Sequence, residues 1–264
     1  AASYIDREAC DRPCLLVGES FGGALATVVA QRACSVEGVV LVNPATCYAE
    51  SALAAKAPPI LELPAWAYYV GLASLLPLFV DRHGVRALFD IVTNKRLPCV
   101  IETPRQEAYM GRVALSLPER IARMPRGTLA WRLREWLDVG ARVDVAALKQ
   151  PTLVVFGDED NTLPSEREAA RVVALLTKAR AVRVPGAGHA ATLGSRVDLR
   201  AEVAAFFGAE PGFSFLAGAP RKMRADASQD GEASSLYGLY PRTHAPVAVF
   251  DYFNAENDAR VGVR

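Results

Sequence analysis

The chain has 264 residues, 51% of them hydrophobic, enough to bury a sizeable core in one large α/β domain and too apolar for a disordered chain. Lysine and arginine number 30 against 29 aspartate and glutamate, a formal net charge of +1, so no overall field points to nucleic acid or to an acidic partner. The five cysteines, Cys10, Cys14, Cys34, Cys47 and Cys99, lack C-x-x-C spacing, and Cys14 and Cys34 fall in segments read as core, which reads as reduced, mostly buried thiols in an intracellular compartment.

Cys14-Leu15-Leu16-Val17 reads as a short buried strand, and Gly23 to Ala30 as a helix of small residues. Between them stands Gly18-Glu19-Ser20-Phe21-Gly22, a G-x-S-x-G turn in the strand-to-helix setting that a nucleophile elbow needs. Such a turn holds its serine in a strained backbone conformation, so Gly18, Gly22 and Gly23 supply the missing bulk around it. The elbow comes almost at once, whereas the fold it implies places several strands before the nucleophile. The expectation is a chain that lacks those N-terminal strands.

Val36 to Val42 is a β-branched run stopped by Asn43-Pro44, the next parallel strand by pattern. Strand, helix and strand in this order predict a parallel sheet with right-handed crossovers. From Ala49 to about Arg142 the pattern turns into helical segments punctuated by proline, with Pro58, Pro59, Pro64, Pro77, Pro98, Pro104, Pro118 and Pro125 read as breaks. This is an inserted helical cap. Its most apolar stretch, Ala65 to Leu76, is bounded by Pro64 and Pro77 well short of the roughly 20 residues a membrane span requires. It reads as a cap helix or as a lid that touches lipid.

The sheet resumes at Gln150-Pro151-Thr152-Leu153-Val154-Val155-Phe156-Gly157, an apolar run ending in glycine, followed by a helix from Ser165 to about Lys178. Ala181 to Pro185 is a further strand, Gly186-Ala187-Gly188-His189 follows it, and a helix from Val197 to Phe207 closes the pattern. The predicted division is a hydrolase-type domain over 1–208, with the cap at about 49–142, and an irregular tail over 209–264. Arg224 to Ser235 is the best linker or disorder candidate within that tail.

An acid after one late strand and a histidine after the next would reach Ser20 from the same sheet edge, and Ser, Asp, His is the α/β-hydrolase order. Ser20 becomes nucleophilic only beside a base, and His189 is that base because His83 and His244 follow no predicted strand. Asp158, Glu159 and Asp160 are consecutive. Asp160 is favoured because Leu163-Pro164 leads from it into the helix, and Asp158 is the alternative. The backbone N–H of Phe21 would be one oxyanion donor, with a second from an upstream loop. Trp66, Tyr69, Leu72 and Leu76 are predicted to line an apolar substrate pocket under the cap. The reading needs no metal and no cofactor.

Gly18-Glu19-Ser20-Phe21-Gly22-Gly23, Leu41-Val42-Asn43-Pro44-Ala45-Thr46, Asp160-Asn161-Thr162-Leu163-Pro164-Ser165, Gly188-His189 and Val197-Asp198-Leu199 together resemble the plastid phytyl ester synthase family over about Leu15 to Phe207. That family consists of acyltransferases of the esterase/lipase/thioesterase type. The resemblance implies an α/β-hydrolase fold and acyl transfer from acyl-CoA, acyl carrier protein or galactolipid to phytol or diacylglycerol. It also implies a plastid location and contact with a membrane or lipid-droplet surface. Leu193-Gly194-Ser195-Arg196 departs from the acidic segment usual in the family, and no His-x-x-x-x-Asp signature is present. The competing classes are a plain serine carboxylesterase or aminopeptidase-type hydrolase, and a binding module that keeps the fold without turnover.

Overall fold

The computed structural model describes residues 1–9, 12–75, 78, 126–136, 143–192, 197–210, 212–213 and 247–250. Leu76, Pro77, His83, His244, Cys10, Cys99, 193–196 and 224–235 therefore lie outside the described residues. Strands β1 (Cys14–Glu19), β2 (Val36–Val42), β3 (Thr152–Gly157), β4 (Ala179–Val184) and β5 (Val247–Phe250) form one parallel sheet in the order β4-β3-β2-β1-β5. A helix α1 (Ala2–Ala9) precedes β1, and α2 (Phe21–Ala30), α6 (Ser165–Leu175) and α7 (Leu199–Phe207) cross between or follow the strands.

Two-residue alternation explains the layers. Leu16, Val39, Leu41, Val154 and Phe156 face one side with Ile5, Val29 and Val172, while Leu15, Val17, Val40, Val42, Leu153 and Val155 face the other with Val203, Phe207 and Phe213. Because β1 to β3 are buried on both faces, their sequences are continuous apolar runs. The register aligns Glu19 with Val42 and Val42 with Val155, so the chain leaves neighbouring strands at one carboxyl edge.

Four expectations need correction. Val247–Phe250 pairs with β1, Leu15 opposite Val247 and Gly18 opposite Phe250, so this part of the tail is strand and not irregular. Pro58 and Pro59 do not break the chain, because α3 runs through both from Ala52 to Leu61. Ala57, Ile60 and Leu61 form its buried face while both prolines are exposed, so packing outweighs the lost N–H groups near the helix end. Cys34 is exposed, not core, since it sits in the turn beyond the end of α2. The helix predicted from Ala65 to Leu76 is shorter, α4 (Ala65–Ala73), capped by Ser74 and followed by a turn.

The rest of the described cap consists of α5 (Arg126–Trp131) and a π-helical turn at Arg132–Trp136. Ala57, Ile60, Leu61, Tyr68, Leu75 and Leu129 make its own small core. Among the described residues no helix is long and apolar enough to cross a membrane.

Candidate active site

Ser20 sits between β1 and α2 at φ 53°, a left-handed conformation that a serine adopts only where its surroundings enforce it. The enforcement is visible. Ser20 N–H donates to the Val42 carbonyl at 2.8 Å, and its own carbonyl accepts from Ala45 N–H at 2.8 Å and Gly23 N–H at 3.0 Å. A Cβ on Gly18 would strike the Gly22 carbonyl and lie 2.7 Å from the Ala26 Cβ, so the elbow closes only around glycine there. Although Ser20 occupies the N-cap position of α2, its hydroxyl makes no cap bond.

That hydroxyl points instead to His189, with Oγ 2.8 Å from Nε2. On the far side of the ring Nδ1 is 3.0 Å from Asp160 Oδ2. An ionised carboxylate only accepts, so the ring proton belongs on Nδ1, leaving Nε2 as acceptor for the serine proton. Asp160 also takes the Thr162 N–H at 2.8 Å, the Leu163 N–H at 3.2 Å and the Ser165 hydroxyl at 2.6 Å. The side chains of His189 and Asp160 are only 9% and 1% exposed. Burial alone would raise the Asp160 carboxyl. The His189 hydrogen bond and charge, with the Ser165 hydroxyl and the Thr162 N–H, outweigh it and hold Asp160 below the usual carboxylate range.

Asp158, the alternative acid, faces away. It binds Arg183 at 2.7 Å and the Gly186 N–H at 2.6 Å, which ties β4 to the loop after β3. Phe21 begins α2 directly after Ser20, which sets its N–H at the positive end of the helix dipole. Cys47 is half-buried in the short helix after Pro44, and burial, followed by the Glu168 carboxylate, pushes its thiol up to about 12. It stays protonated at neutral pH and offers no rival nucleophile.

The expected pocket lining is not assembled as predicted. Tyr68 packs inward with Leu72 and Leu75 at helical spacing, which turns Trp66 and Tyr69 outward at 83% and 45% exposed. Leu72 packs on the cap core, and Leu76 is not among the described residues. The apolar surface that reaches Phe21, next to the serine, comes from Ala45, Tyr48, Leu53, Ala54, Leu133 and Leu163. Sequence reasoning missed Ser165 as an Asp160 partner, and it took Asn43 for a strand stop alone. Asn43 is fully buried and hydrogen-bonds the carbonyls of Gly188 and His189.

The arrangement has the parts for nucleophilic acyl chemistry: a hydroxyl, an imidazole poised to take its proton, and a buried carboxylate that orients the imidazole. The alpha/beta hydrolase family matches residues 1–206. Phytyl ester synthase 1, chloroplastic, of Arabidopsis thaliana is 30% identical over 194 residues, 72% of this chain and 27% of that protein. The chain thus spans about a quarter of that relative's length. Among solved structures, MenH from S. aureus matches with a TM-score of 0.51 and 16% identity, over 78% of this chain and 73% of that one, a likeness of fold alone.

Proposed function

Starting from a chain that belongs to the alpha/beta hydrolase family, we propose that it removes an acyl group from a lipid ester or thioester through a covalent Ser20 acyl-enzyme. One observation carries the reading: Ser20 Oγ, His189 and Asp160 form a continuous hydrogen-bonded chain across three strand ends. Ser20 Oγ attacks the acyl carbonyl as its proton passes to His189 Nε2. The tetrahedral oxyanion is met by the Phe21 N–H. Collapse expels the alcohol or thiol, which takes its proton from His189, and Asp160 keeps the ring in the required tautomer throughout. Water or an alcohol, deprotonated by the same imidazole, then attacks the Ser20 ester and releases the acyl group.

The likeness to phytyl ester synthase 1, chloroplastic, favours phytol as acceptor and a plastid setting for the parent protein; an acyl-CoA, acyl carrier protein or galactolipid donor and diacylglycerol as the other acceptor are what the family resemblance implies. The apolar surface around Phe21 is in keeping with an acyl chain. A plain serine carboxylesterase or aminopeptidase-type hydrolase is the second reading, favoured because hydrolysis needs only the residues named and the chain covers so little of that relative.

A fluorophosphonate probe should label the chain at Ser20, and Ser20→Ala should abolish labelling. Equal labelling of the two would refute nucleophilic catalysis at this site. No labelling of either would leave the fold as a binding module. Product analysis with phytol or diacylglycerol present separates transfer from hydrolysis.

A further inference from the structure

We propose that Asn43 is a positioning residue that sets the reach between His189 and Ser20, an inference that rests on the acyl-enzyme reading above. Only Ser20 and Asn43 among the described non-glycine residues have positive φ, 53° and 40°, and they end neighbouring strands. Asparagine tolerates that conformation better than most side chains. Its burial is complete, so its polar groups need partners, and its N–H and both ends of its side-chain amide have them. Its own N–H donates to the Val155 carbonyl at 3.0 Å, and its Oδ1 accepts the Gly157 N–H at 3.0 Å. Nδ2 donates to the carbonyls of Gly188 at 3.2 Å and His189 at 2.5 Å.

The residues on either side of it hold the serine. Val42 accepts the Ser20 N–H and Ala45 donates to the Ser20 carbonyl, both at 2.8 Å. Pro44 lies against the bare Cα of Gly23, where a Cβ would come within 2.9 Å of its own. One four-residue corner, Val42 to Ala45, therefore grips the backbone of the nucleophile with its main chain and the backbone of the base with the Asn43 side chain. The contact it regulates, 2.8 Å from Oγ to Nε2, lies in the window of about 2.6–3.2 Å that proton transfer needs. A displacement of about 1 Å there can cost ~10²-fold in rate. The Asn-Pro-Ala sequence so becomes part of the reacting geometry and more than the stop of a strand.

Asn43→Asp tests this, because it keeps the acceptor for Gly157 and replaces the donor to the histidine loop by an oxygen that donates only when protonated. Burial raises a carboxyl in that position, so protonation is within reach at mild pH. With the whole chain and a fluorophosphonate probe, labelling should fall about 10²-fold at pH 8.5, and the variant-to-parent ratio should recover about tenfold or more by pH 6. Taking the ratio at each pH removes whatever the parent and the variant share. A ratio flat across that range, with the melting temperature lowered or not, would overturn the proposal.

A second measurement does not depend on turnover. The chain has only three histidines, so ring-¹⁵N spectra resolve His189 against His83 and His244. In Asn43→Asp at pH 8.5, or in Asn43→Ser should the aspartate variant not fold, the His189 ring signals should move while the other two hold still. Unmoved His189 signals, or loss of fold in both variants, would make Asn43 a folding residue and end the positioning role. An unlabelled parent chain would sink the acyl-enzyme reading and leave Asn43 to be judged by the spectra.

Discussion

The carboxyl edge of the sheet and the cap above it are held together in opposite ways. At the edge, Asn43, Asp160 and His189 are buried and each makes two or more side-chain hydrogen bonds. In the cap, Trp66 and Val70 face solvent, and the buried Tyr68 hydroxyl has no hydrogen-bond partner among the described residues. The cap is joined to the edge through a small apolar cluster around Tyr48 and Leu163 and by the Thr162 hydroxyl, which donates to the Leu78 carbonyl. Groups that must meet within a few tenths of an ångström are carried by strand ends, whose separation is fixed by the backbone ladder. The cap rests mainly on apolar contact, which tolerates adjustment because it has no preferred direction.

The largest expected effect falls on the edge. Asp160→Asn can present an N–H to Nδ1 of His189, which drives the ring proton onto Nε2 and leaves the serine without an acceptor. Turnover and probe labelling should fall by about 10⁴-fold with the fold intact. A loss below tenfold would show that the imidazole is oriented by other groups and that this edge is less determined than its hydrogen bonds imply.

Gly157→Ala attacks the same edge by volume. The new Cβ would land on the Ala187 and Gly188 carbonyl oxygens, both backbone, so the histidine loop must move. Labelling should drop by about 10²-fold, and overpacking should lower the unfolding free energy by about 1–3 kcal/mol in a denaturant titration. Labelling at the parent rate would mean the loop yields without disturbing His189, and would erase the contrast with the cap.

How much of this is legible in the sequence follows the same divide. The runs that become β1, β2 and β3 announce themselves because both faces of each are buried, and Ser20 stands out because its glycines have no other purpose. That His189 and Asp160 meet Ser20 follows from strand order. The part played by Asn43 is not legible. Its partners are carbonyls 145 and 146 residues away, and a carbonyl leaves no trace in residue type. Pro58 and Pro59 mislead because local rules mark a break where packing of Ala57, Ile60 and Leu61 prevails. Val247–Phe250 escapes for another reason: a four-residue parallel strand has no local turn to declare its neighbour. The faces of α4 are ambiguous because a helix apolar all round has no stripe to orient it.

Acid should separate the regions next. Asp160 is held below the ordinary carboxylate value of about 3.9 despite its burial, through its bonds to His189, Ser165 and Thr162. Its contribution to stability is complete above the ordinary value and is lost as pH falls through the depressed one. Asp158 is also lowered: burial opposes the shift and the Arg183 hydrogen bond outweighs it. Denaturation monitored between pH 5 and pH 2 should therefore show stability falling with acid, and Asp160→Asn should flatten that fall. An unchanged slope in the variant would mean the site carboxylate gains nothing from its partners on folding.

The smallest effect tests the cap. Burial, and then the neighbouring Tyr69, raises the Tyr68 phenol, so the hydroxyl is neutral and its proton has nowhere to go among the described residues. A buried hydroxyl left unpaired costs about 1–3 kcal/mol in desolvation, whereas the ring contributes by packing. Tyr68→Phe keeps that packing, including the edge contact with Tyr69 at 5.1 Å between centroids and the Arg126 guanidinium 5.6 Å above the ring. The unfolding free energy should stay level or rise by about 1 kcal/mol, read as a higher melting temperature. A loss of about 1 kcal/mol or more, the net worth of a hydrogen bond, would mean that the hydroxyl is paired in the folded chain. The cap would then be satisfied in the same manner as the sheet edge, and the difference between the two regions would have to lie in composition alone.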